Sequence, residues 1–156
     1  MKAIRLMLAV PLVFSSLVEP SAAARPAHLL ASFERSTGIL ETSRDQCLKI
    51  ELYLANTPDQ QRQGLMRIEY LGPNEGMLFR YPEAGLISMW MKNTYISLDM
   101  MFIRADGVIS SIARHTQPES TRTVAAEEPV TMVLEVNAGF SDRKKIEPGN
   151  RLLAIN

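Results

Sequence analysis

The chain alternates apolar and polar side chains in several short stretches, and the first clear one is Cys47–Ala55. Four aliphatic side chains recur there at every second position: Leu48, Ile50, Leu52 and Leu54. Successive side chains of a β-strand point to opposite faces of the sheet. This period of two therefore predicts a strand with one face in a core and the other in water.

Later apolar runs predict further strands at 77–81, 87–92, 98–103, 108–113, 130–136 and 151–155. We expect the buried face of the first strand to share a core with Phe102, Ile103 or Val133 from these runs. Turn residues separate the runs, and Asp106-Gly107 is the strongest hairpin signal. Many short strands joined by frequent turns predict a mostly β, single-domain antiparallel sandwich or barrel.

One short helix is predicted after the first strand, at 58–66. Thr57 suits the N-cap, and Pro58 suits the first helical position. Gln60 completes a capping box, because a glutamine at this spacing can bond back to the N-cap backbone. The apolar residues at the end of the helix are its expected buried contacts.

Residues 1–24 have the features of a secretory signal peptide. Lys2 and Arg5 precede an apolar run of thirteen residues, Leu6–Val18, and three alanines ending at Ala24 supply the small residues that signal peptidase requires. A helix needs about 20 apolar residues to cross a bilayer, so this run is too short for a span. We therefore predict cleavage after Ala24, export to the periplasm or secretion, and no membrane span in the mature protein. A retained N-terminal anchor is the alternative.

The mature chain is predicted to have an irregular leader with a possible first strand at 25–45, followed by the β-sandwich domain at 46–156. Removal of Lys2, Arg5 and Glu19 leaves 15 basic and 16 acidic side chains, a net charge of about −1. Nucleic-acid-binding domains usually carry a basic excess, so no nucleic-acid partner is expected. The single cysteine cannot form an internal disulfide and is expected to be a small core or strand residue.

A series of short motifs runs from Glu51 to Asn150. They are Thr57-Pro58, Arg62, Gly64-Leu65-Met66-Arg67, Gly76-Met77-Leu78-Phe79, Met89-Trp90-Met91-Lys92-Asn93-Thr94, Leu98-Asp99-Met100 and Val133-Leu134-Glu135. In order and spacing these motifs resemble the domain of unknown function 192 family, over about two thirds of the chain. The resemblance implies a compact β-sandwich of jelly-roll type, often exported, and it brings no assigned reaction.

These motifs bring several polar and charged residues together near the end of a predicted strand. The cluster comprises Trp90, Lys92, Asn93, Thr94 and Asp99, joined by Arg62 or Arg67 from the helix and by Glu135 from a late strand. One interpretation is a pocket for a small molecule, because such pockets need only a few polar groups. The other is a structural network in which Lys92 pairs with Asp99 or Glu135, since buried charges need partners. The sequence alone leaves both interpretations open.

No motif in the sequence assigns a catalytic activity. A hydrolase requires a nucleophile, a base and an orienting group, and histidine is the commonest base. The chain has two histidines, His28 and His115, and no serine in a Gly-x-Ser-x-Gly motif. Carboxylates are the remaining candidates: Asp99, Glu135 and Glu127. A small hydrolase or other enzyme that uses Asp99 and Glu135 is therefore one alternative function.

A periplasmic copper(I)-handling protein is the second alternative, because thioether sulfur is a soft ligand. Met89 and Met91 would share one face of the predicted strand at 87–92, with Trp90 between them and His115 elsewhere. Methionine also fills irregular cores, and the scattered histidines and cysteine lack zinc-ligand spacing. The sequence thus predicts an exported β-protein that binds a small ligand or a cell-envelope partner, and it leaves the ligand and any cofactor unknown.

Overall fold

The computed structural model describes residues 27–43 and 46–156, so the predicted signal peptide lies outside the described residues. Within these ranges the chain forms three short helices and nine strands. In chain order they are α1 Ala27–Leu30, β1 Glu34–Glu41, β2 Cys47–Ala55, α2 Pro58–Gln63, β3 Glu75–Gly85, β4 Ser88–Met89, β5 Leu98–Ile103, β6 Ile109–Ala113, β7 Val124–Ala125, β8 Val130–Asn137, α3 Phe140–Lys144 and β9 Leu152–Ile155. The mostly β class is confirmed.

Seven strands form one sheet in the order β6-β5-β8-β3-β2-β1-β9, and β4 pairs with β7 in a small second sheet. The outer strands of the large sheet meet, because Val108 and Arg151 form an antiparallel bridge and the Leu152 amide donates to the Gly107 carbonyl at 2.9 Å. The large sheet therefore curls back on itself. Its neighbours are antiparallel except β2 and β3, which run parallel. Parallel neighbours need a crossover connection, and α2 with the loop after it supplies this one.

The core is divided between the two faces of the large sheet. Ile50 and Leu52 of β2 pack with Ile103 in one cluster, whereas Phe102 and Val133 belong to the cluster on the opposite face. Of the three expected neighbours of the β2 face, Ile103 is thus confirmed. The second face of β2 was expected in water, but its Tyr53 is only 5% exposed. Loops and α1 cover that face. Both faces of β2 are therefore buried, and the alternation in the sequence identifies only one of them.

The segment at 25–45 contains an interior strand of the domain. β1 pairs with β2 from Glu34↔Leu54 to Glu41↔Cys47, and with β9 on its other edge. The sheet therefore begins before residue 46, and the possible first strand is part of the domain. Apolar and polar residues alternate only weakly in β1, so the sequence pattern does not clearly indicate a strand there. Gly38 sits at its centre, where an added Cβ would lie 2.8 Å from Leu52 Cδ1, so close packing there depends on the absence of a side chain.

The predicted capping box of α2 is confirmed. The Thr57 side chain accepts a bond from the Gln60 amide, and the Gln60 side chain accepts one from the Thr57 amide. The helix ends at Gln63, three residues earlier than predicted, because Gly64 turns the backbone at φ +48°. The helix is therefore shorter than predicted, and the apolar residues Leu65 and Met66 lie in the turn that follows it.

The predicted strand at 87–92 is wrong beyond its first residues, since β4 covers only Ser88–Met89. The chain then turns: the Thr94 amide donates to the Met91 carbonyl at 3.0 Å, and Asn93 adopts a left-handed φ of +57°. Cys47 begins β2 and is exposed, so it is a strand residue rather than a core residue. No helix among the described residues is long and apolar enough to cross a membrane.

Candidate functional site

A pocket of about 340 Å³ opens between α2, the loop that follows it, the end of β3, β4 and β8. Its apolar and aromatic walls are Leu65, Met66, Phe79, Tyr81, Met89 and Trp90. Its polar groups are Gln61, Arg62, Gln63, Ser88, Thr94 and Glu135. A concave cavity that combines apolar walls with convergent polar groups is a candidate small-molecule site.

Hydrogen bonds hold the helical wall of this pocket against the sheet and α1. The Gln61 amide nitrogen donates to the Arg80 carbonyl at 2.7 Å, and the Gln63 amide nitrogen donates to the Leu29 carbonyl at 2.6 Å. Behind them, an added Cβ at Gly64 would lie 3.2 Å from Phe79 Cζ. These glutamines, which form a polar face of the helix, therefore attach α2 to the sheet and to α1. The pocket is thus present without a bound ligand.

Glu135 lies at the floor of the pocket, on the buried face of β8. It pairs in register with Met77 of β3 and Met100 of β5, and it is only 4% exposed. No residue in 27–43 or 46–156 forms a hydrogen bond or an ion pair with its carboxyl group. Burial raises the pKa of Glu135 to about 8, so the group is mainly protonated at neutral pH. Buried polar groups normally have a partner, and this one faces a cavity.

Tyr81 is the titratable neighbour of Glu135 inside the pocket. Burial, followed by the nearby Glu135 charge, raises the pKa of Tyr81 to about 12, so its hydroxyl stays protonated. That hydroxyl donates to the Met89 sulfur at 3.7 Å. The pocket floor therefore presents a neutral phenol and a carboxyl group whose charge depends on pH.

Glu135→Gln is expected to change how stability depends on pH. The folded protein holds a proton on Glu135 that the unfolded chain releases above its ordinary pKa of 4.5, so stability falls as pH rises from about 4.5 to about 8. At about 1.36 kcal/mol per unit, the wild type should lose about 3 kcal/mol relative to Glu135→Gln between pH 4.5 and 7. Urea unfolding at several pH values measures this difference. Glu127→Gln, at an exposed position, is the matched control and should run parallel to the wild type.

The predicted polar cluster divides into two groups. Arg62, Trp90, Thr94 and Glu135 line the pocket, whereas Arg67, Lys92, Asn93 and Asp99 lie outside it. In the second group, the Arg67 amide donates to the Asn93 carbonyl at 2.7 Å, and both side chains are exposed. Lys92 places its Nζ 5.4 Å from the centre of the Trp90 ring, at the margin of the site.

Asp99 is itself fully buried and belongs to a separate hydrogen-bond network. Its carboxylate accepts bonds from the backbone amides of His115, Gly139 and Ser141 at 3.0 to 3.1 Å, and from the Ser141 hydroxyl. Burial by itself would raise the pKa of Asp99, but these bonds outweigh it and hold the pKa below its usual value. The predicted pairing of Lys92 with Asp99 or Glu135 is wrong, because backbone donors satisfy Asp99 and the Lys92 ammonium packs on Trp90 instead.

Asp99 and Glu135 cannot act as a carboxylate pair in this fold. In the β5–β8 register Asp99 lies opposite Val136, while Glu135 lies opposite Met100. Paired residues share a face and successive residues alternate, so the two carboxyl groups are on opposite faces of the sheet. The enzyme alternative that combined them is therefore wrong.

The copper alternative required Met89 and Met91 on a common face, and the chain turns instead. Met89 lines the pocket, whereas Met91 is buried and its sulfur accepts a bond from the Thr116 hydroxyl at 3.2 Å. His115 lies 3.3 Å from Asp142. In the part of the chain that the structure describes, no group of three or more His, Cys, Asp or Glu side chains is arranged to hold a metal ion.

Ten residues that line the pocket are outside the sequence-based cluster, and Gln61, Phe79, Tyr81 and Ser88 are among them. Phe79 belongs to the Gly76-Met77-Leu78-Phe79 motif, but its sequence context indicates only an ordinary core residue. In the structure it packs in the core as well as lining the pocket. The sequence contains no signal for Tyr81 or Ser88, since their role depends on β3 extending to Gly85 and on β4 folding beside it.

A sequence profile of DUF192, an uncharacterized ACR family, matches residues 39–154. The chain belongs to the DUF192 family. The matched range includes seven of the nine described strands in full, β2 to β8, together with parts of β1 and β9. It also includes every residue that lines the pocket. No curated protein shows significant similarity to the chain.

Two crystal structures of similar proteins support the fold of this DUF192 member. A candidate transcription regulator from Sinorhizobium meliloti 1021 is 40% identical, with a TM-score of 0.75 over 77% of this chain and 93% of that one. A protein of unknown function from Novosphingobium aromaticivorans DSM 12444 is 30% identical, with a TM-score of 0.76 over 86% of this chain and 94% of that one. These comparisons extend over nearly the whole length of both relatives.

Proposed function

We propose that this protein binds a small molecule in the pocket above Glu135 and does so after export from the cytoplasm. The observation that carries the proposal is a carboxyl group 4% exposed, without a hydrogen bond or ion pair from the described residues, at the floor of a 340 Å³ cavity. Among the described residues, no Glu135 oxygen is both fully buried and without a hydrogen-bond partner, so the carboxyl group is accessible from the cavity. A ligand in the cavity can therefore form a hydrogen bond or an ion pair with Glu135 directly.

Binding explains the geometry better than hydrolysis does. The titratable side chains that line the pocket are Arg62, Tyr81 and Glu135. Arg62 is exposed and bonded to Asp59, and the hydroxyl of Tyr81 is engaged with Met89. A base and a nucleophile within hydrogen-bond distance of each other, as acyl transfer requires, do not occur among the described residues of the pocket. A net charge of about −1 after cleavage argues against the DNA contacts of a transcription regulator, because nucleic-acid-binding domains usually carry a basic excess.

Ligand binding is tested by purifying the protein from its own organism and weighing it under native conditions, where a retained molecule adds a defined mass. Ser88→Trp places an indole at an exposed residue that lines the pocket, so it should displace the ligand without unfolding the domain. Thr121→Trp makes a similar change at an exposed position away from the pocket and should retain the added mass. If both variants and the wild type carry the same adduct, the molecule binds elsewhere.

Export is tested by cell fractionation and intact-mass measurement of the soluble protein. The signal-peptide features of residues 1–24 support cleavage after Ala24, and the mature protein should begin at or near Arg25 and be found outside the cytoplasmic membrane. An intact Met1 in the soluble pool would contradict export.

A further inference from the structure

We propose that the ligand of this pocket is an organic cation, whose ammonium group pairs with the Glu135 carboxylate between the aromatic walls of the site. This inference rests on the binding function proposed above and specifies its chemistry. Anionic ligands do not fit this site, and neutral ligands are the second candidates after cations.

The charge balance of the site is the first support. A carboxyl group buried without a counter-charge stays protonated, because ionisation in an apolar site is costly. An ammonium group in the pocket would supply the missing positive charge and, if it carries hydrogens, the missing donors. Glu135 would then ionise and its proton would pass to solvent as the cation binds. A buried acid that has no partner within 27–43 and 46–156 thus becomes part of a buried ion pair.

The walls of the pocket are the second and independent support. Phe79, Tyr81 and Trp90 all line the cavity. Aromatic rings attract cations through their faces, and ammonium ligands are commonly held in cages of such rings. Trp90 already attracts an ammonium group in this structure, since the Lys92 Nζ lies 5.4 Å from its ring centre. Rings of this kind above a single acid favour a cation over a sugar or a fatty chain.

The only basic side chain on the pocket wall, within the described residues, argues against an anion. Arg62 lies at the exposed side of the pocket and is paired with Asp59 one turn earlier in α2. Within the described residues, a carboxylate or phosphate ligand would therefore find no unpaired positive charge on the pocket wall, because Lys92 lies only at the margin, and it would face Glu135. A neutral alcohol could accept or donate a hydrogen bond to protonated Glu135, which makes it the competing outcome of the test.

Cation binding should be coupled to the release of the Glu135 proton, so its affinity should depend on pH. The titratable groups that line the pocket with Glu135 are Tyr81 from β3 and Arg62 from α2, and its register partners Met77 and Met100 do not titrate. Tyr81 does not change charge between pH 6 and 8, because its pKa is about 12. The pKa of Glu135 is about 8, so the affinity for a permanent cation should rise about tenfold per pH unit up to about pH 8 and then level off.

The experiment is titration calorimetry with three probes: choline, n-butylammonium, and 3,3-dimethylbutan-1-ol, the neutral analogue of choline in which carbon replaces nitrogen. We expect at least one of the two cations to bind at least about tenfold more tightly than the neutral alcohol at pH 8, since only a cation pairs with the carboxylate. Repeating the titration at pH 7 in buffers of different ionisation enthalpy should show release of close to one proton per cation bound.

Two variants and one control locate the effect. Glu135→Gln should weaken cation binding at least about tenfold and remove its pH dependence. Trp90→Leu should weaken cation binding severalfold and leave the alcohol unchanged, which gives a second readout if Glu135→Gln folds poorly. Glu127→Gln removes the same charge from an exposed site and should bind like the wild type.

The results also separate this inference from the binding function itself. If the alcohol binds as well as both cations, or if cation affinity ignores pH and Glu135→Gln, the ligand is not a cation, while displacement by Ser88→Trp would still support the pocket. If neither cation binds the wild type at millimolar concentration, the cation inference fails outright. A native adduct that Ser88→Trp leaves in place would instead overturn the pocket as the binding site.

Discussion

Ile50→Asp is expected to leave no cooperatively folded domain at room temperature. Ile50 is fully buried in β2, and its Cγ2 would lie 3.1 Å from a Cβ added at Gly38 of the neighbouring strand. The loss of the aliphatic side chain costs about 2 to 5 kcal/mol, and an unpaired buried carboxylate costs several more. Their sum is comparable to the whole stability of a typical domain, about 5 to 15 kcal/mol.

The measurement is urea or thermal unfolding monitored by the fluorescence of the single tryptophan, Trp90. Cys47→Asp adds the same carboxylate at the exposed start of the same strand and should remain folded, with a change near 1 kcal/mol or less. A cooperative Ile50→Asp protein of near wild-type stability would mean that the two faces of β2 have been assigned the wrong way round.

Asp99→Asn is expected to cost about 3 to 5 kcal/mol. Each carboxylate oxygen of Asp99 accepts two bonds: one oxygen from the His115 and Gly139 amides, the other from the amide and hydroxyl of Ser141. An asparagine offers one acceptor and turns a donor toward two further donors. Buried donors without an acceptor cost about 1 to 3 kcal/mol each, and bonds to a charged group are the stronger ones.

Lys92→Met is the matched comparison, since the sequence alone suggested that it was the partner of Asp99. Its side chain is exposed on the Trp90 ring and makes no contact with the Asp99 network, so the loss should stay below about 1 kcal/mol. The double mutant should then show simple additivity. A large loss in Lys92→Met, or strong non-additivity, would restore an interaction between the two charges.

The pH dependence of the two acids should also differ in sign. The low pKa of Asp99 stabilises the fold above the ordinary pKa of aspartate, and this contribution is lost as pH falls through the lower folded value. The raised pKa of Glu135 acts in the opposite sense and destabilises the fold as pH rises toward about 8. The two carboxyl groups, which look alike in the sequence, are therefore separable by titration.

Local signals in the sequence were sufficient for several features. The start of α2 is determined by Thr57, Pro58 and Gln60, because a capping box involves only neighbouring residues. The alternation in Cys47–Ala55 correctly identifies β2 and its Ile50 face. Family motifs correctly assign the chain to DUF192. Four members of the predicted polar cluster do line the pocket, although nothing local to them shows that they meet.

The tertiary structure alone decided which polar residues share a site. Asp99 and Glu135 both look like members of one cluster, yet the pairing of β5 with β8 sends them to opposite faces of the sheet. Partners also decide charge: the backbone amides of His115, Gly139 and Ser141 keep Asp99 ionised, while burial without a partner among the described residues keeps Glu135 protonated. Strand register and desolvation depend on residues distant in sequence. The order of amino acids therefore predicts several elements of this protein, whereas only their packing determines its site.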